Sequence, residues 1–228
     1  MGAVNCEVAV HPRRAAGVAG AVVAASEVLV VYAAILLYIW RWQDTHPFFW
    51  IPLLAAVLFS HWVHHDSLEE MGLTAQEFWP SARLSLPLLP AVVVPAVLYG
   101  AWNHDNAGRL DSAHVWLSLG AYLLWCSFQQ YLTQSYFHRR LMKVMRTPHL
   151  CSLAIGLMFA GAHIPNPVLM VATFAGGFVF AEIFVQHPNI WPLAFVQAVA
   201  GFLIGALSPP WIIHSMRVGP GYFFFHLH

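Results

Sequence analysis

The chain has 228 residues, of which 59% are hydrophobic and only 9% charged, and its formal net charge is zero. A soluble domain carries about 25% charged residues, so the composition excludes an ordinary water-soluble fold, and the balanced charge leaves no basic footprint for nucleic acid. Three cysteines, Cys6, Cys126 and Cys151, are too few and too scattered for a disulfide framework or a zinc ribbon.

A membrane-spanning helix needs about 20 apolar residues. The first 18 residues lack the pattern of a cleaved signal peptide and are expected to form a cytoplasmic segment. Seven apolar segments follow, at about Ala19–Trp40, Pro47–Trp62, Leu84–Trp102, Val115–Phe137, Leu150–Ile164, Val168–Val185 and Ile190–Leu207. The aromatic tail, 208–228, is expected at the membrane interface or as an incomplete eighth span. The predicted fold is therefore all-α, a polytopic transmembrane bundle of seven to eight helices in one domain, 1–228. Tryptophans at positions 40, 42, 50, 62, 79, 102, 116, 191 and 211 stand at or near the segment ends, as an interfacial aromatic belt requires. Arg13, Arg14, Arg83, Arg139, Arg140, Lys143 and Arg146 fall on one side, and Arg41, Arg109 and Arg217 on the other. The positive-inside rule then puts the N-terminus in the cytoplasm, and the membrane is expected to be a bacterial plasma membrane.

Polar groups inside spanning helices are costly and mostly face the bundle interior. The fourth segment carries Gln129, Gln130, Thr133, Gln134 and Ser135, followed by His138. Gln130, Gln134 and His138 recur every four residues and share one helical face. His163 lies near the end of the fifth segment, Glu182 in the sixth and Gln197 in the seventh, four residues before Gly201. Glu27 in the first segment is expected to pair with a neighbouring helix. Such residues can simply join helices by hydrogen bonds, each contributing about 0.6 kcal/mol. Five within seven positions of one helix point further, to an intramembrane site.

At these residues the chain resembles the CAAX-protease and bacteriocin-processing family of intramembrane metalloproteases. The run 68–73, Leu-Glu-Glu-Met-Gly-Leu, is similar to the loop before that family's catalytic helices. The run from Gln129 to Leu141 resembles its EExxxR motif, Phe159 to His163 its FxxxH motif with the following Pro-Asn-Pro, and Asn189 through Gln197 to Gly201 its HxxxN motif. The resemblance covers about 50–205. It implies a metal-dependent endopeptidase acting on lipidated substrates, with one divalent metal such as zinc and a role for His163 as ligand. The positions matching the catalytic motifs are Gln129, Gln130, Gln134, His163 and Gln197. Phe159, Ser135, Gly201 and Glu182 are expected to line the substrate site.

The departures change the chemistry. Gln129 and Gln130 stand where the family has glutamates, Gln134 where it has arginine, Gln197 where it has histidine and Gly201 where it has asparagine. A general base must accept a proton near neutral pH, which an amide cannot do. A zinc site draws on three or four His, Cys or carboxylate ligands, which His163 alone does not supply. The expectation is a retained pocket, opening toward the cytoplasmic leaflet, that binds or processes a lipidated or hydrophobic peptide or an isoprenoid-like molecule, with weak or absent peptidase activity. The alternative is a non-catalytic scaffold or accessory protein whose glutamines only join helices.

A third reading comes from His61-Trp62-Val63-His64-His65, which matches the HxxHH box of membrane di-iron oxidoreductases. Imidazole suits iron. No second box follows, and these histidines are expected to be solvated at a helix end. The basic run Arg139, Arg140, Lys143 and Arg146 is expected to set topology and touch lipid headgroups.

Overall fold

The computed structural model describes residues 17–102, 113–145 and 147–224. The chain is an all-α helical membrane protein, and no strand occurs among the described residues. Among the described residues, four helical stretches are long and apolar enough to cross a membrane: Val18–Trp42, Phe78–Tyr99, Pro167–Gln186 and Ile190–Leu207. Pro47–Val63 and Pro148–Gly161 are shorter apolar helices. The fourth predicted segment, Val115–Phe137, falls within the long helical stretch that carries Gln129, Gln130 and Gln134.

In chain order, α1 (Val18–Leu37) runs into a π-helical turn, Tyr38–Trp42. A 3₁₀ turn, Pro47–Phe49, leads into α2 (Trp50–Val63). The third predicted span begins earlier than expected, at α3 (Phe78–Ser85). It passes through a 3₁₀ turn at Leu86–Leu88 and continues as α4 (Leu89–Trp102). Pro87 lacks the N–H that a regular α-helical ladder needs, and the chain tightens into the 3₁₀ turn there. The fourth predicted span is also longer: α5 (Ala113–Gln130), a π-helical stretch (Tyr131–His138) and α6 (Arg139–Val144) are continuous. Then come α7 (Pro148–Gly161), α8 (Pro167–Gln186) and α9 (Ile190–Leu207). Proline opens α7 and α8, where a missing N–H costs nothing. Asn166 and Asn189 cap α8 and α9, accepting from the backbone N–H groups of Leu169 and Trp191.

The tail makes two short helices, α10 (Pro210–Ile213) and α11 (Pro220–Phe223). No further span forms among the described residues. The tail is tied to the α7–α8 turn: Asn166 Nδ2 donates to the carbonyls of Ile213 and Arg217, and Gly219 N donates to Ile164 O at 2.9 Å.

The surface has the inverted pattern of a membrane protein. Leu29, Val30, Phe59, Leu98, Leu124 and Val171 are exposed, whereas Gln130, Gln134, Arg140, Asn166 and Asn189 are fully buried. Such a surface suits lipid, and the buried polar groups must find partners inside. Without hydrophobic drive between helices, close packing holds them together. At the α7–α8 contact a Cβ on Gly156 would stand 2.9 Å from the Phe174 carbonyl oxygen, and one on Gly177 would stand 3.2 Å from Gly156 Cα.

The connection between α2 and α3 folds over one end of the bundle. Ser135 Oγ donates to Met71 O at 2.6 Å, Ile190 N donates to Gly72 O at 3.1 Å, and Asn189 Nδ2 donates to the carbonyls of Thr74 and Gln76. Gly72 turns there with φ +69, and a Cβ would meet the Phe184 ring at 2.7 Å. The run 68–73 is thus the segment that seats this connection on α5, α8 and α9.

Candidate functional site

The fourth and seventh predicted spans meet through their glutamines. Gln130 Nε2 donates to Gln197 Oε1 at 2.6 Å, and Gln197 Nε2 donates to Gln129 Oε1. Three side chains from α5 and α9 form one amide chain, with Gln197 at its centre and Gln130 fully buried at one end. Thr133, one turn on, turns its hydroxyl back to the Gln129 carbonyl at 2.9 Å. Gln134 is also fully buried, but neither its Oε1 nor its Nε2 has a partner, and Gln130 Oε1 has none either. All three atoms belong to one helical face at the point where the α-helix widens into a π-helix. Such widened turns recur at functional sites.

The remaining predicted positions separate. His163 is not within a helix but in the turn after α7. Its Nδ1 lies 2.7 Å from Phe159 O, and its ring packs edge-on against Phe159 with centroids 5.0 Å apart. No hydrogen bond joins it to a glutamine. Phe159 is buried and lies against Gly177 of α8. Ser135 spends its hydroxyl on Met71 O, which holds the α2–α3 connection. At Gly201 a Cβ would stand 2.5 Å from the Tyr122 hydroxyl oxygen, so Tyr122 occupies the room a longer side chain there would need. Glu182 sits near the end of α8, with Oε2 at 2.9 Å from Nδ1 of the exposed His149.

The structure also assembles a charged cluster that sequence reasoning had dispersed. Arg140, expected at the headgroups, is fully buried. Its Nε lies 2.9 Å from Glu27 Oε2, its Nη1 2.7 Å from Asp66 Oδ2, and it donates to Ser60 Oγ. Arg139 Nη2 pairs with Asp66 at 2.8 Å and with Glu70 at 3.0 Å. Arg146 lies outside the described residues, and Lys143 Nζ approaches His64 Nδ1 at 3.1 Å. Glu27 pairs with neighbouring elements as expected, reaching Ser60, His64 and Arg140. Burial by itself would raise the Asp66 carboxyl. Hydrogen bonds from His61 and Arg139, the Arg139 charge and a bond from Arg140 outweigh it and hold that carboxyl far below the usual range. At Glu70 burial is likewise outweighed, here by the Ser67 backbone N–H and Arg139, and its carboxyl is lowered. The signal was available: a glutamate inside a span needs a cation, and Glu27 has few candidates.

The histidines of the HxxHH run do not face one point. His61 Nδ1 lies 2.8 Å from Asp66 Oδ2, His64 turns to Glu27, and His65 is exposed with a left-handed backbone. The expectation that the run is solvated fails for His61, which is buried because Asp66 supplies its partner. Among the described residues no three His, Cys, Asp or Glu side chains are grouped to hold a metal ion. The glutamine site offers only amides, so its donor set does not fit zinc.

A cleft of about 280 Å³ opens on the seam between α5 and α9, lined by Leu119, Gly120, Leu123, Phe195, Ala198 and Val199. Its walls are apolar, and Ala198 directly follows Gln197. A second concavity, of about 360 Å³, lies at Thr45–Phe49, on the connection before α2.

In comparison with known proteins, residues 111–203 match the Rce1-like family, described as type II CAAX prenyl endopeptidase Rce1-like. Nothing matches among curated proteins or solved structures. The matched stretch contains the whole amide chain, His163 and the α5–α9 cleft.

Proposed function

We propose, from the match of residues 111–203 to the Rce1-like family, that this chain is a CAAX-protease-like membrane protein that binds a lipidated or hydrophobic ligand and has weak or absent peptidase activity. The observation that carries the reading is the Gln130–Gln197–Gln129 chain. Positions that carry acid, base and ligand groups in the family's motifs here hydrogen-bond to one another as neutral amides. Their convergence supports a kept architecture. Their chemistry removes the general base, because an amide neither accepts a proton near pH 7 nor replaces a carboxylate on a metal. The site residues of this reading are Gln129, Gln130, Gln134 and Gln197, with the α5–α9 cleft beside them for an apolar chain. His163 contributes through its contact with Phe159 rather than as one member of a metal set.

The test uses the purified full chain in detergent with a farnesylated peptide, followed by mass spectrometry with and without chelator. The expected result is saturable binding with negligible cleavage. Robust chelator-sensitive cleavage would overturn the loss of peptidase activity, and failure to bind any prenylated probe would overturn the ligand.

The scaffold reading is favoured by one feature, the self-satisfaction of Gln129, Gln130 and Gln197, which is how interhelical polar contacts look when they only hold helices together. Under it, Gln130→Leu changes stability and leaves prenyl-ligand binding at the background level of the wild type.

A further inference from the structure

Resting on the ligand-binding reading, we propose that Gln130 and Gln134 select a ligand whose polar head is uncharged and carries both a donor and an acceptor. Such a head is a primary amide or an alcohol at the end of an apolar chain. Two acceptors, Gln134 Oε1 and Gln130 Oε1, and one donor, Gln134 Nε2, are buried without partners on one face of the same helix. Most buried polar atoms in folded proteins are paired, so three such atoms on one face need a counterpart. A carboxylate supplies acceptors only. It would satisfy Gln134 Nε2, set an anion against two carbonyl oxygens and lose its hydration without a cation in return. The two arginines at the bundle end are committed, Arg140 to Glu27 and Asp66 and Arg139 to Asp66 and Glu70, and Lys143 Nζ lies against His64 Nδ1. An amide or hydroxyl group meets both polarities with no charge to desolvate. The apolar cleft on the α5–α9 seam, whose lining residue Ala198 directly follows Gln197, gives the chain of such a ligand its place.

The experiment compares three probes on the purified full chain in nanodiscs: a farnesylated tetrapeptide with a free C-terminal carboxylate, the same peptide as its C-terminal amide, and farnesol. Displacement of a fluorescent farnesyl reporter gives each affinity. The amide is expected to bind at least tenfold more tightly than the carboxylate. Gln134→Leu is expected to remove that preference while the far-UV circular dichroism and melting temperature hold. Tight farnesol binding with weak binding of both peptides identifies an isoprenoid alcohol as the source of the neutral head. A carboxylate that binds as tightly as the amide overturns this proposal and leaves the ligand-binding reading standing. An amide preference that survives Gln134→Leu also overturns it, since the three atoms would then hold only water. If no probe displaces the reporter, both readings fall. Should Gln134→Leu fold poorly, Gln134→Met gives the same comparison with an unbranched chain.

Discussion

The charged cluster at one end of the bundle and the amide group between α5 and α9 treat burial in opposite ways. Around Arg140 each buried charge meets an opposite charge: Glu27, Asp66, Arg139 and Glu70 form one connected set, with Ser60 and His61 inside it. Around Gln134 the groups are neutral, and three amide atoms have no hydrogen-bond partner; Arg139 Nε, Arg140 Nη1 and His61 Nε2 lack one too, but there the charges are paired. An unpaired charge at that depth would cost several kcal/mol, about 3–5 when one member of a buried pair is removed. An unpaired amide costs about 1–3 kcal/mol. A membrane protein can therefore leave an amide open for a ligand, but it cannot leave an arginine open. The cluster is a clamp that joins α1, α2, the 66–72 connection and α6, and the amides are the part proposed to bind.

The largest expected effect breaks the clamp. Arg140→Ala removes the fully buried guanidinium that pairs with Glu27 and Asp66, and should destabilise the protein by about 3–5 kcal/mol, read as a lost or strongly lowered melting transition in detergent. Little change on melting would show that the cluster is solvated rather than buried.

The next effect tests whether the 64–77 connection is held by the clamp alone. Asn189→Ala strips donors from the Thr74 and Gln76 carbonyls and the cap from Trp191 N. A loss of about 1–3 kcal/mol is expected, with faster hydrogen exchange in 68–78. Unchanged exchange would assign that connection to the ion pairs only.

Acid should separate the two regions further. The folded Asp66 carboxyl is held below its unfolded value, so its contribution is complete above about pH 4–5 and declines as pH falls toward the folded value. Stability should therefore drop on acidification below about pH 5, and Asp66→Asn should flatten that slope. The amides do not titrate, so Gln134→Leu should leave the slope intact. A slope unaltered by Asp66→Asn would assign the acid sensitivity elsewhere.

The smallest effect is on the amides themselves. Gln134→Leu replaces an unpartnered buried amide by a hydrocarbon of similar length. Melting should be unchanged or raised by up to about 1 kcal/mol equivalent. Gln130→Leu takes the donor from Gln197 Oε1 and should lower stability by about 1 kcal/mol. If Gln134→Leu proves the more damaging of the two, Gln134 has a structural partner.

Composition and hydropathy were enough to place the helices, because every apolar stretch must bury or dissolve its side chains in lipid and no soluble alternative exists at 9% charge. The four-residue recurrence of Gln130 and Gln134 placed them on one face for the same reason that any helix would. The ends of the third and fourth predicted spans were misplaced. The third begins at Phe78 rather than Leu84, six residues earlier, and the fourth runs past Phe137 through Arg139–Arg140, which continues as helix because carboxylates from α1 and the 66–70 connection neutralise it.

What the sequence determined by itself was a helical membrane bundle with polar residues at fixed spacings inside its apolar spans, because hydropathy and residue type are local properties. Only the tertiary structure decided which polar groups meet. Gln129, Gln130 and Gln197 are 67 or 68 residues apart along the chain and touch, while His163, closer in sequence to Gln134, hydrogen-bonds to its own Phe159 carbonyl instead. Pairing depends on how helices pack against one another, and no local pattern encodes whether a buried amide ends up bonded to its neighbour or open to a ligand.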